Sequence, residues 1–166
     1  MPTIRFVFPG GRYHATAWGH HVNEGQVEWP PSPWRILRAL LATGFTTQRW
    51  SEESGPTDVA KRLFDTLASN LPSYRLPAAT SAHSRHFMPL GKLKKDDGRE
   101  TTTLVFDTWA DVGTGHIDVY WPCALADDER QLLGVLVENL GYLGRSESWV
   151  EGRLIEDSEG AFDAFP

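Results

Sequence analysis

Three observations predict an α+β domain. The chain opens on a β-branched and aromatic run closed by a Pro-Gly-Gly turn, apolar stripes of helical period follow, and two long extended segments then flank a charged tip containing glycine.

The elements follow in order. Thr3 to Phe8 reads as a strand ended by Pro9-Gly10-Gly11. Ser32 and Pro33 stand just before apolar residues at 34, 37, 40 and 41, which is an N-cap, a proline in the first turn and a helical stripe. A second helix is expected from Asp58 to Asn70, with Val59, Leu63, Phe64 and Leu67 on one face and Pro72 beyond its end. Tyr74 to Leu90 and Thr101 to Asp111 read as extended, and Gly91 to Glu100 between them as a hairpin tip with Asp97-Gly98 at the turn. His116 to Trp121 alternates as a short strand. Asp127 to Leu140 is a helix with acids in its first turn, where the helix dipole favours them, and Ser148 to Ile155 is a final strand candidate.

The resulting order is strand, helix pair, two long strands, helix, strand, with one further strand inserted. It approaches β-α-β-β-α-β, the ferredoxin-like order. Residues 1–155 are therefore expected to form one domain. Residues 156–166 are acidic and show no period, so they read as a linker or a truncated end.

Composition narrows the function. A chain of 166 residues that is 40% hydrophobic can bury one proper core. No apolar run reaches the roughly 20 residues of a membrane helix, and the expectation is a cytoplasmic protein with no membrane partner. The single cysteine, Cys123, excludes an intrachain disulfide and cannot alone supply a thiolate zinc site. The net charge of −6 is unevenly spread. Over residues 1–110, 13 Lys and Arg stand against 10 Asp and Glu, a balance of +3; over 111–166, 3 stand against 12, a balance of −9. A nucleic-acid footprint therefore belongs on the front two thirds, and the acidic back faces protein or solvent.

Several clusters carry chemistry suited to RNA. Arg12-Tyr13-His14 and His20-His21 interleave guanidinium, aromatic and imidazole groups in a glycine-bounded loop. Trp29 and Trp34 nearby read first as core residues, because large aromatics usually pack. Arg35 and Arg38, three apart at a helix start, form a candidate phosphate clamp, or else a pair of solvated arginines. His83 and Arg85 share one strand face and His86 points to the other, which places the two histidines badly for one metal ion. No metal or other cofactor is expected. Lys92, Lys94, Lys95 and Arg99 make the tip a positive feature, or a solubilising loop. The turn from Gly141 to Ser148 offers Arg145 and two hydroxyls beside glycines, suited to a phosphate cradle or a plain C-cap turn. Acid-base RNA cleavage by His14, His20 or His86 is chemically open, but no base, acid and orienting group stand at a spacing that fixes them together, so no catalytic residue is assigned.

Arg12-Tyr13-His14-Ala15-Thr16, the run from Val22 to Leu41, Arg85 to Leu90, Val105 to Thr108 and Tyr142 to Ser148 together resemble one family. It is the fused Cas-five/Cas-six subunit of type I-G (formerly I-U) CRISPR effector complexes, and the likeness is to its front, Cas-five-like part. The resemblance implies a ferredoxin-like (RRM-like) repeat-associated RNA-binding domain with a projecting β-hairpin thumb, Gly91 to Glu100 being the thumb's tip. It also implies the partners: the 5′ handle of CRISPR RNA, backbone (Cas-seven-like) subunits, the large subunit and, indirectly, target DNA. Members of that family are longer, and the endoribonuclease expected of them lies in a second domain beyond residue 166. The expectation is a non-catalytic subunit of an antiviral ribonucleoprotein. Its rivals are a metal-independent endoribonuclease and an acidic protein-interaction module.

Overall fold

The computed structural model describes residues 1–21, 24–93, 98–156 and 160–165. Strand β1 (Thr3–Val7) is followed by the two-residue β2 (Arg12–Tyr13), helices α1 (Pro33–Thr47) and α2 (Asp58–Ala68), and strands β3 (Ser73–Arg75), β4 (Thr80–Leu93), β5 (Glu100–Asp111) and β6 (His116–Tyr120). Helix α3 (Asp127–Glu138) and strand β7 (Glu151–Ile155) complete the order.

The strands form two sheets, ordered β3-β6-β1-β7 and β2-β5-β4. In the first, β6 lies antiparallel to both β3 and β1, and β1 antiparallel to both β6 and β7. Hence β1 and β3 run parallel, joined through α1 and α2 across β6, while β6 and β7 run parallel, joined through α3 across β1. Two interlocked split βαβ units define the ferredoxin-like fold.

Alternation along the strands sets the core. Ile4 and Phe6 pair with Val119 and Ile117 in register, so all four share one face, and all are fully buried. Ile36 and Leu40 of α1, Leu63 and Leu67 of α2, and Leu133 and Leu136 of α3 complete this cluster. Trp121 closes it, its indole N–H donating to Leu67 O at 3.2 Å. On the opposite face of the sheet, Arg5 forms a two-bond pair with Asp118, both bonds 2.7 Å.

Local chemistry holds the helices. Ser32 Oγ accepts from Arg35 N, and Pro33 occupies the first turn. α1 runs past its apolar stripe to Thr47, and in this last part Thr43, Thr46 and Thr47 return their hydroxyls to carbonyls one turn back. Thr57 caps α2 through Ala60 N. At α3, Glu129 accepts from Ala126 N at 3.0 Å, and Arg62 of α2 donates to Asp128 at 2.8 Å.

The structure divides the extended run expected from Tyr74 to Leu90. Tyr74 belongs to β3 in the first sheet, the chain breaks at Leu76 to Ala79 around Pro77, and β4 begins at Thr80 in the second. The second strand of the fold is thus Ser73–Arg75, and the long hairpin is the insertion. His116–Tyr120, expected as the inserted strand, is a central one. The pairing of β4 with β5 runs from Thr80↔Asp111 to Pro89↔Thr102, then shifts before Leu93↔Glu100. No described residue of β4 is buried, so this two-stranded ribbon projects from the domain.

Within 156–166, the residues from 160 to 165 are docked. Tyr74 and Ala164 form an antiparallel bridge on the outer edge of β3, Leu76 N donates to Asp163 Oδ2 at 2.8 Å, and Phe162 stacks on Tyr120. No described helix is long and apolar enough to cross a membrane.

Candidate nucleic-acid interface

The base of the hairpin is tied to the turn after α3 by a polar cluster. His14 is almost fully buried, and its backbone is held by three bonds. Its N–H donates to Ser148 Oγ at 2.7 Å, and its carbonyl accepts from Ser148 Oγ at 3.1 Å and Arg145 N at 2.8 Å. Gly144 makes this approach possible: its φ is +93°, and a Cβ there would lie 2.4 Å from His14 O.

Both imidazole nitrogens are engaged. Nδ1 lies 2.9 Å from Glu147 Oε1, and Nε2 lies 3.3 Å from Arg145 Nη1. Arginine only donates, so Nε2 accepts and the ring proton belongs on Nδ1. Burial, seconded by the Arg145 charge, pushes the His14 pKa below its ordinary value, leaving it neutral near pH 7. Burial raises the Glu147 carboxyl, but backbone hydrogen bonding, Arg145 and His14 outweigh it and the net shift is downward. Arg145 also reaches Asp107 of β5 at 3.2 Å, and His86 lies 3.8 Å from the other oxygen of Asp107. Among the described residues no group of three or more His, Cys, Asp or Glu is placed to hold a metal ion.

The hairpin has two distinct faces. His83, Arg85 and Phe87 pair with Thr108, Phe106 and Leu104. On this face the His83 ring lies 5.0 Å from that of Phe106, and the Arg85 guanidinium stands 5.2 Å over the same ring. Phe87 is 70% and Leu104 50% exposed beyond them. Gly25 of the front loop abuts Phe106 at the base, too close for any Cβ. The other face carries His86, Asp107 and Trp109, with Arg12 5.7 Å over the Trp109 ring and exposed Trp149 lining the same hollow. Lys92 and Arg99 are exposed near the tip, and Lys94 and Lys95 lie outside the described residues.

The front cluster separates into core and surface. Tyr13, expected at the RNA surface, has no exposure: it packs between Phe8 and Trp29, and burial pushes its hydroxyl pKa upward. Its alternate position in β2 turns it inward while Arg12 turns out. His20 is exposed and sits 2.8 Å from Glu24. Arg35 does not stand free beside Arg38. Its Nε and Nη2 donate to Glu28 at 2.7 and 3.0 Å, and Nη2 also to Thr16 O at 2.8 Å, pinning the front loop to α1. Burial raises the Glu28 carboxyl, but Arg35 and the Ser32 N–H outweigh it and the net shift is downward. Arg38 is exposed, its guanidinium 5.9 Å from the Trp34 ring.

Trp29 packs against the core as expected, but Trp34 does not, being 61% exposed. The buried set of α1 is Ile36, Leu37, Leu40, Thr43 and Gly44, and Trp34 lies about 200° round the helix from Ile36. Counting the period from Ile36 rather than from Trp34 exposes this. Trp18 is not singled out in the sequence, where a tryptophan in a polar loop is the available sign, and Tyr142, Asp107 and Glu147 stand out only as members of the segments Tyr142 to Ser148 and Val105 to Thr108.

No protein-family model matches the chain, and no curated protein is found similar to it. Among solved structures it is similar to a Cas6 product complex, with a TM-score of 0.43 and 14% identity over 93% of this chain and 51% of that one. It is also similar to a Cas6 of Thermus thermophilus, with a TM-score of 0.42 and 13% identity over 92% of this chain and 53% of that one. The chain thus spans about half the length of each. The fold assignment rests on the strand order itself.

Proposed function

We propose that this chain is an RNA-binding subunit of a CRISPR ribonucleoprotein, gripping the repeat-derived 5′ handle of the CRISPR RNA in a type I-G effector complex. The observation that carries the reading is the exposed hairpin face. His83 and Arg85 stack on Phe106 there, with Phe87 and Leu104 continuing toward a tip that bears Lys92 and Arg99. A ribbon with no buried residue on β4 has no use for these side chains in its own core. Guanidinium and aromatic faces side by side suit single-stranded RNA, where phosphates need charge and unstacked bases need flat partners. The sequence resemblance supplies the handle and the complex as the finer assignment.

The same geometry supports binding without cleavage. His14 is buried, neutral and engaged at both nitrogens, which makes it a post for the backbone rather than a base within reach of a ribose hydroxyl. The test is to titrate labelled repeat RNA with the chain at several salt concentrations. Binding that weakens with salt while the RNA stays intact supports the reading. Site-specific cutting that is lost in His86→Ala overturns the non-catalytic part.

A further inference from the structure

A groove away from the hairpin carries a second concentration of unspent aromatic surface. It lies between the start of α1 and the turn after α3, has a volume of about 490 Å³, and is walled by Trp18, Trp34 and Tyr142 with Arg38 at its rim. These rings are 83%, 61% and 53% exposed and line one groove. The floor is electrically quiet, because Glu28 is paired with Arg35. Arg38 stands at the rim with its guanidinium 5.9 Å from the Trp34 ring.

We infer that this groove is a base-stacking subsite for one or two unpaired nucleotides, bases lying on Trp34 and Trp18 and a phosphate at Arg38. The inference rests on the RNA reading above but places none of the hairpin's residues in the subsite. Three observations favour nucleotides over a protein segment. The groove's volume of about 490 Å³ falls within the roughly 300–1,000 Å³ of sites that take a small molecule or a single base. Its walls pair aromatic faces with a guanidinium, the combination that stacks on bases of any sequence. And Gly144 of the groove wall is followed by Arg145, which touches Asp107 at the hairpin base, so the groove and the root of the hairpin share the turn after α3.

The test uses the whole chain with single-stranded oligouridylate and oligoadenylate of about 10 nucleotides. Trp18→Ala and Trp34→Ala are each expected to weaken binding about tenfold without changing the salt slope, because stacking releases no counterions. Trp34→Phe is expected to restore most of the loss, and Arg38→Ala to lower the slope by about one phosphate contact. An abasic residue at one position of the oligonucleotide is expected to cost wild type about the same factor and Trp34→Ala nothing more. Unchanged melting temperatures show that the exposed tryptophans carry no part of the fold. If both tryptophan variants bind RNA as wild type does while Arg85→Ala does not, the subsite is wrong and the hairpin reading stands. If wild type binds no RNA, both fail. If the tryptophan variants keep RNA affinity but lose a protein of the same complex, the groove is a protein contact and the inference is overturned.

Discussion

Arg145 reaches across from the turn after α3 to the base of the hairpin, placing Nη1 3.2 Å from Asp107 Oδ1. Both side chains are partly exposed, so the pair contributes at most about 1 kcal/mol to global stability. Its effect is local. Asp107→Asn and Asp107→Ala are each expected to leave the unfolding midpoint nearly unchanged while amide hydrogen exchange at 104–108 speeds up several-fold. Equal exchange in wild type and variants removes the clamp from the account.

The two arginines of α1 separate by experiment. Arg35→Ala strips the partner from a Glu28 carboxylate that is only 13% exposed, and is expected to cost about 2–3 kcal/mol in urea unfolding. Arg38→Ala touches an exposed side chain and is expected to stay within about 0.5 kcal/mol. A loss of RNA affinity at unchanged stability is therefore expected of Arg38→Ala alone.

Stability is expected to respond to pH through His14. Its folded pKa lies below the ordinary 6.5, so between the two values the unfolded chain binds more protons, and stability falls as pH drops below about 6.5. Glu28 and Glu147, both depressed, add a second loss below their ordinary 4.5. In His14→Gln the first step is expected to vanish and the second to remain, measured as melting temperature against pH.

Gly144→Ala combines a left-handed backbone with a Cβ placed 2.4 Å from a carbonyl that cannot retreat without losing its bonds to Arg145 and Ser148. The expected cost is about 2–4 kcal/mol. Gly141→Ala in the same turn meets nothing within 4 Å and is expected to change stability by less than about 0.5 kcal/mol.

Replacing residues 87–104 by a two-residue turn is expected to leave the fold intact, since none of the described residues there is buried. Handle binding is expected to fall, and RNA protection mapped nucleotide by nucleotide on the assembled complex is expected to lose a sharp boundary between handle and spacer. A boundary as sharp as in wild type makes the hairpin a solvated loop.

The ferredoxin-like order was legible because Ile4, Phe6, Leu63, Leu67, Leu133 and Leu136 obey strand or helix periods that no tertiary contact overrides. The split of Tyr74 from Thr80 was not, since an extended chain looks the same whichever sheet it joins, and only Pro77 marked the break. Among site residues, the opposite faces of His83 and His86 followed from the period of two. Tyr13 and Trp34 were misplaced for one shared reason: an aromatic ring suits a core and a base equally, and one residue of register decides which it meets.

The hairpin is also a lever. From Asp107 to Glu100 the ribbon extends about 23 Å, so a rotation of about 5° at its root carries the far end about 2 Å, most of a hydrogen bond's length. Aim at the tip is therefore set at the fulcrum, where Arg145 and the Gly25–Phe106 contact hold the root from two sides. Substitutions that never approach the far end are the ones that decide where it points.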